Sequence, residues 1–291
     1  MTRLQAPAKI NLRIKVLGTR PDGYHELDML LVPINIYDAL EVNRSDRLKI
    51  TCNWPGLATD ESNTIVKALR WWSTKTGRPM EPLAIDLKKT IPMQAGLGGG
   101  SSDAGILLKW LAAENNIEFD AKSLEEIGRT VGADVPFFVA GGLVQAARVC
   151  GLGERVEPIH SIPLLHLIVI KPPVAVSTPW AFQEFDRHIP PFAKGGRGGI
   201  FSLKTLEDLI GILENDLEPV VELRYPDILE AKQALLENGA QWAMMTGSGS
   251  AVFGIYRTVQ QRDQAVGKIR SLNDSWQVFP AESLQIPSGT G

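Results

Sequence analysis

The most constraining stretch of this sequence is Pro92-Met93-Gln94-Ala95-Gly96-Leu97-Gly98-Gly99-Gly100-Ser101-Ser102, where four glycines fall within five positions. Ahead of it, Leu83-Ala84-Ile85-Asp86-Leu87 reads as a strand; behind it, Ala104, Leu107, Leu108 and Leu111 recur at helical spacing. Glycine admits positive φ and a close approach of backbone to a ligand, at a cost in conformational entropy. A tight structural turn needs far fewer glycines, so this run points to an occupied loop. A helix that starts inside such a loop offers unpaired N–H donors and a partial positive charge, which suits a phosphate. It is not a Walker loop, since no lysine follows Gly100, and not a dinucleotide fingerprint, whose third glycine is replaced by Ser101. His-Arg-Asp and Asp-Phe-Gly, the marks of protein kinases, are absent.

Composition narrows the class further. With 44% apolar and 22% charged residues over 291 positions, the chain can bury a substantial core as one large domain or two. A net charge of −3 without a long basic run weighs against nucleic acid as a partner. Met1-Thr2-Arg3-Leu4-Gln5 lacks the apolar core of a secretory signal, and the longest apolar run, 135–144, is too short to cross a bilayer. Cys52 and Cys150 give neither a disulfide framework nor a cysteine zinc site. The expectation is a cytoplasmic protein with no membrane or nucleic-acid partner and no metal ligand set legible in the chain.

Near the N-terminus, Ile10, Leu12, Ile14 and Val16 alternate with Asn11, Arg13 and Lys15, a half-buried strand whose polar face also carries Lys9. By periodicity alone that face is solvated. Pro21-Asp22-Gly23 is turn chemistry that displays Tyr24 and His25 ahead of a second strand over 27–36. Further strands are expected at 39–42 and 48–52. A helix follows over 63–72 with Ser62 or Asn63 as its cap, and another begins at Ser123 by capping-box spacing and stops at Gly132. Asp134 then stands alone in apolar company, as a turn residue or as a general base or ligand anchor.

The linker-like 158–163 divides the chain into halves 1–157 and 158–291. The second half opens with a strand over 165–170, and Ser177-Thr178-Pro179 starts a helix. Helices are expected over 203–213 and, with Asp227 as cap by capping-box spacing, over 227–239, then a strand–turn–strand around Thr246-Gly247-Ser248-Gly249-Ser250, a helix over 258–272 capped by Thr258, and a strand over 276–279. The Gly195-to-Gly199 run reads as a loop rather than a second phosphate site, because no strand and helix frame it. The fold class is α+β.

The glycine-rich stretch resembles the ATP-binding motif of the galactokinase, homoserine, mevalonate and phosphomevalonate kinase superfamily. Four other stretches are similar to one branch of it, whose acceptor is a cytidylyl-linked methylerythritol in the non-mevalonate route to isoprenoids. They are Pro7-Ala8-Lys9-Ile10-Asn11-Leu12, Asp22-Gly23-Tyr24-His25-Glu26-Leu27, Gly132-Ala133-Asp134-Val135-Pro136-Phe137 and Thr246-Gly247-Ser248-Gly249-Ser250. The likeness covers nearly the whole chain in the right order. It implies a two-domain small-molecule kinase fold: an N-terminal ribosomal-protein-S5-like domain, a C-terminal ferredoxin-like domain and an active site in the cleft between them. ATP, with Mg²⁺, would lie over residues 92–102, with Asn63 and Lys89 near the nucleotide.

The resemblance makes Asp134 the catalytic base and Lys9 the catalytic lysine, acting on the 2-hydroxyl of the acceptor. Asn11 and Asp134 would hold the methylerythritol hydroxyls. Tyr24, His25 and Phe182 match positions that hold the cytosine, His25 by hydrogen bonds and Phe182 by stacking. The 247–250 turn would close the cleft, and the partners would be ATP and the small-molecule cytidylyl substrate, with the chain a monomer or homodimer. The 145–154 segment is longer than the corresponding hairpin, so no substrate contact is assigned there. A homoserine or mevalonate kinase is the nearest alternative, but its acceptor carries no base for Tyr24 and His25. A non-catalytic nucleotide sensor has no need of both Lys9 and Asp134, and an RNA-binding module fits poorly with the negative charge.

Overall fold

The computed structural model describes residues 1–80, 82–140, 144–188 and 203–285. In chain order the first elements are β1 (Thr2–Thr19), β2 (His25–Arg44), β3 (Lys49–Cys52), α1 (Thr64–Thr76), β4 (Leu83–Lys88), α2 (Gly99–Asn115), α3 (Ala121–Thr130) and α4 (Val135–Ala140). Next come β5 (Ala146–Gly151), β6 (Arg155–Ile159), β7 (His166–Lys171), α5 (Thr178–His188), α6 (Leu206–Ile210) and β8 (Glu214–Asn215). The chain continues through α7 (Glu218–Arg224), α8 (Pro226–Glu237), β9 (Trp242–Met245), β10 (Val252–Tyr256), α9 (Val259–Leu272) and β11 (Gln277–Glu282). The Gly195-to-Gly199 run lies outside the described residues.

The spine is the antiparallel pair β1 and β2, strands of 18 and 20 residues. The stretches expected as two strands at 27–36 and 39–42 form one. What looked like a break is a register shift, with Pro7 opposite Tyr37 but Ala8 opposite Ile34. On β2 pair β4 and β5, then β3 beyond β4 and β6 beyond β5, and β8 joins β1, making a seven-stranded sheet. Residue 157 lies inside β6, and β8 comes from still later in the chain, so this sheet draws on both sides of the 157/158 division. The second sheet is antiparallel throughout, in the order β11-β7-β10-β9.

Three apolar clusters fix these layers. Leu69 and Trp72 of α1 and Leu107 and Leu111 of α2 pack with Leu40, Ile85 and Leu87 on one part of the first sheet. Ile10, Leu12 and Ile34 of the spine pack with Leu167, Val169 and Phe253 of the second sheet, which holds the two sheets together. The alternate residues of β7, Ile168 and Ile170, turn to Ile228 and Leu235 of α8 and Ile269 of α9. Each such fully buried aliphatic side chain contributes about 1.5–3 kcal/mol by leaving water.

Some helix limits differ from the sequence expectation for local reasons. α3 starts earlier because Asp120, not Ser123, is the cap; its carboxylate accepts from the Ser123 N–H at 2.8 Å. α6 is shorter than 203–213: Thr205 and Asp208 form its capping box, and Gly211 and β8 follow at once. At α8 no side chain caps the first turn, so Asp227 lies inside the helix and not at its cap. Asn63 and Thr258 do cap α1 and α9 as expected. Among the described residues, no helix is long and apolar enough to cross a membrane.

Candidate active site

The strand–glycine loop–helix unit forms as read. Gly96 (φ 72°) and Gly98 (φ 71°) take left-handed conformations, and Gly98 is the N-cap of α2. Gly99 and Gly100 are already helical, where the missing side chains leave first-turn amides uncovered and without acceptors inside the helix. These residues wall a cavity of about 680 Å³, a volume that suits a nucleotide. Residues 92–101 all line it, as do Asn63 and Lys89, while Ser102 lies behind the wall, fully buried, with an Oγ that meets no hydrogen-bond partner.

Asn63 shapes this cavity as the α1 cap: its Oδ1 accepts from the Ile65 N–H and its Nδ2 donates to the Ala58 carbonyl. The Lys89 ammonium points into the protein, paired with Asp38 and, at 2.8 Å, with Asp103. Burial alone would lower the Lys89 pKa, but the two carboxylates outweigh it and hold it above its ordinary value. Asp38 also accepts from the backbone N–H groups of Thr90 and Ile91, so the residues just before the glycine loop are pinned from below. Asp103 has one oxygen without a partner, and burial, aided by the nearby Asp38 charge, pushes its carboxyl up to about 7.

A second cavity of about 520 Å³ continues from the first, sharing Gln94, Gly96, Gly98 and Ser101 as common wall. Lys9, Asn11 and Asp134 meet in it. Lys9 Nζ donates to Asn11 Oδ1 at 2.5 Å and stands 3.4 Å from Asp134 Oδ2, whose side chain stays 28% exposed. The solvated polar face expected for β1 is therefore corrected: Lys9 and Asn11 are 2% and 1% exposed. That face is covered from two directions. The Lys9 N–H donates to Leu97 of the glycine loop at 3.0 Å, and the Asn11 N–H donates to Thr246 Oγ1 at 3.0 Å. Asp134 stands immediately before α4 at the other wall.

A third cavity, of about 650 Å³, opens beyond the second across a shared wall that includes Leu27, Leu152, Thr178 and Phe182. Tyr24 and His25 line it, Tyr24 largely exposed. His25 and Phe182 stack on each other, with ring centroids 4.8 Å apart and planes at 21°. The phosphate-suited loop, the lysine–carboxylate pair and the aromatic recess thus lie along one trench.

Comparison with known proteins identifies the family. Residues 63–142 match the GHMP kinases N terminal domain and residues 199–275 the GHMP kinases C terminal domain. A 4-diphosphocytidyl-2-C-methyl-D-erythritol kinase of Prosthecochloris aestuarii is 37% identical over 91% of this chain and 93% of its own length. The chain belongs to the 4-diphosphocytidyl-2-C-methyl-D-erythritol kinase family. A crystal structure of a 4-(cytidine 5'-diphospho)-2C-methyl-D-erythritol kinase superposes with a TM-score of 0.74 at 30% identity, over 97% of this chain and 100% of that one. A homoserine kinase from Cytophaga hutchinsonii shares the fold, with a TM-score of 0.70 at 18% identity over 98% of this chain and 96% of its own.

The structure also places along the trench residues to which the sequence assigns no role of their own. Thr178 lines all three cavities, and its hydroxyl lies 2.6 Å from that of Ser248. Thr246 touches both Asn11 and the Gly96 carbonyl, tying the second sheet to the glycine loop. Asp186 meets His25 from α5. The Ser177-Thr178-Pro179 helix start and the glycine-flanked 246–250 turn were visible signals for the first two; nothing local marks Asp186.

Proposed function

We propose that this chain transfers the terminal phosphoryl group of ATP to the 2-hydroxyl of 4-diphosphocytidyl-2-C-methyl-D-erythritol, with Asp134 as the base and Lys9 as its charge partner. The observation that carries the assignment of roles is the order of the three cavities, with Lys9 and Asp134 in the middle one, between the glycine loop and the aromatic recess. ATP would lie along residues 92–101 with its phosphates over the start of α2, whose free amides and positive end suit them. The methylerythritol would occupy the middle cavity beside Asn11, and the cytosine the recess of Tyr24, His25 and Phe182.

Phosphoryl transfer asks the protein mainly for positioning and charge neutralisation. Asp134 would accept the proton of the attacking hydroxyl as its oxygen bonds to the γ-phosphorus and the bond to ADP breaks. The buried Lys9 ammonium, 3.4 Å from Asp134, would offset negative charge on the transferring group, and Asn11 keeps it aimed by accepting its hydrogen bond. Thr178 and Ser248 would wall the junction of the cavities from the second sheet's side.

Mg²⁺ would accompany ATP and neutralise its phosphate charge. No group of three or more His, Cys, Asp or Glu among the described residues could hold a metal by itself. Asp103, which lines the first cavity and keeps one oxygen without a partner, fits a cation that takes most of its oxygens from phosphates and water.

The test is a coupled ADP-release assay with the cytidylyl acceptor, against homoserine, mevalonate and no acceptor as controls. Asp134→Asn and Lys9→Ala should each lower kcat by about 10²–10⁴-fold, the usual worth of positioned proton transfer, with little change in ATP affinity. Near-normal kcat in both variants would refute the roles, and ADP release only with homoserine or mevalonate would refute the acceptor.

A further inference from the structure

One contact in the third cavity has no part in the mechanism above. His25 Nε2 lies 3.1 Å from both carboxylate oxygens of Asp186, a residue of α5 distant in sequence. The imidazole is also held flat against Phe182, and its side chain is only 11% exposed. A carboxylate can only accept a hydrogen bond, so Nε2 carries the proton. In the neutral ring Nδ1 is then the acceptor, and no hydrogen bond to it is formed among the described residues. A ring whose plane is fixed by Phe182 and whose tautomer is fixed by Asp186 offers one defined acceptor at the wall of the recess.

Resting on the cytidylyl reading above, we propose that Asp186 is the positioning residue that makes the recess select cytosine over uracil, acting through His25. The two bases differ where it matters: cytosine has a donating exocyclic amine where uracil has an accepting oxygen. An acceptor at His25 Nδ1 pairs with the amine and faces the uracil oxygen lone pair to lone pair. A site built around such a pairing discriminates far more strongly than one that reads shape alone, because the mismatch leaves a desolvated polar group unpaired. Without Asp186 the ring is free to place its proton on Nδ1, and the recess would then accept either base.

The experiment compares kcat/KM for the cytidylyl acceptor and its uridylyl analogue in the wild type, Asp186→Ala and Asp186→Asn. Asp186→Ala should shrink the cytidylyl-to-uridylyl ratio by about 10-fold or more, through KM for the acceptor and not KM for ATP. Asp186→Asn can still turn its carbonyl oxygen to Nε2–H and should keep most of the ratio. In the free protein, ¹⁵N spectra of the His25 ring should show a protonated Nε2 and a bare Nδ1, becoming mixed in Asp186→Ala. An unchanged ratio in an active Asp186→Ala enzyme, or a wild-type ring with its proton on Nδ1, overturns the inference. If the wild type releases no ADP with the cytidylyl acceptor, the activity reading itself fails, which is a separate result from an unchanged ratio.

Discussion

Two glycines of the glycine-rich loop should respond in opposite ways to the same added methyl group. At Gly96, φ is +72° and a Cβ would lie 2.1 Å from the Thr246 carbonyl oxygen. That oxygen is not free to swing aside: it accepts from the Gly249 N–H at 3.0 Å, and Thr246 is fully buried with its own N–H bonded to Ala251. A left-handed alanine costs about 1–2 kcal/mol, and relieving an overlap of this kind costs about 1–3 kcal/mol. Gly96→Ala should therefore destabilise the chain by about 3 kcal/mol. At Gly100 the backbone is helical, and a Cβ would meet only Thr64 Oγ1, at 3.4 Å. Alanine is favoured over glycine in a helix by about 1 kcal/mol, so Gly100→Ala should be neutral or slightly stabilising. Urea unfolding of both variants reads the difference, with equal m-values as the check that midpoints can be compared. If Gly96→Ala unfolds within about 1 kcal/mol of the wild type, or both variants lose the same amount, the loop does not depend on its contact with the 246–250 turn. Because Gly96 borders the first two cavities, its variant should also raise KM for ATP and for the acceptor.

Asp38→Ala should cost about 3–5 kcal/mol in the same assay, because it strips the buried Lys89 of one carboxylate and leaves the Thr90 and Ile91 N–H groups unpaired. A loss below about 1 kcal/mol would mean that the ammonium finds another partner. Cys150 is buried, and that burial, with Asp28 beside it and against the pull of Arg148, pushes its thiol up to about 11. It stays protonated through neutral pH, so Ellman's reagent should label it at pH 8 only after unfolding in guanidinium, with mass spectrometry locating the label. Fast labelling of Cys150 in the native chain would contradict this.

What could be read from the sequence was what short-range physics determines. The glycine loop announced itself because positive φ at Gly96 and Gly98 and an open helix start at Gly99 are needs of neighbouring residues. Asn63 and Thr258 were legible as caps for the same reason. The burial of Lys9 and Asn11 was not, although the resemblance named both as site residues. Alternation correctly made β1 a strand but assigned their face to water, since what covers Asn11 is Thr246, 235 residues later. Asp186, 161 residues from His25, was hidden in the same way. β8 is two residues long, too short for any periodicity to show, yet it completes the first sheet beside β1.

The hidden contacts have a common logic. Lys9 and Asn11 sit on β1, an 18-residue strand whose backbone is held by β2 along almost its full length, so their positions are set by the sheet and not by a loop. The segments proposed to meet the ligands, the glycine loop and the 246–250 turn, touch this strand from either side. A phosphoryl transfer in which most of the catalysis is alignment gains from that division. On the proposed reading, β1 holds Lys9 and Asn11 in place while the glycine loop and the turn would seat ATP and acceptor. It follows that a substitution loosening the contact between turn and loop, such as Gly96→Ala, should weaken both substrates together, whereas Lys9→Ala should leave both bound and stop the chemistry. A Lys9→Ala variant that lost ATP binding as severely as turnover would show that the strand is part of the nucleotide seat, and would remove the reason for keeping the two roles apart.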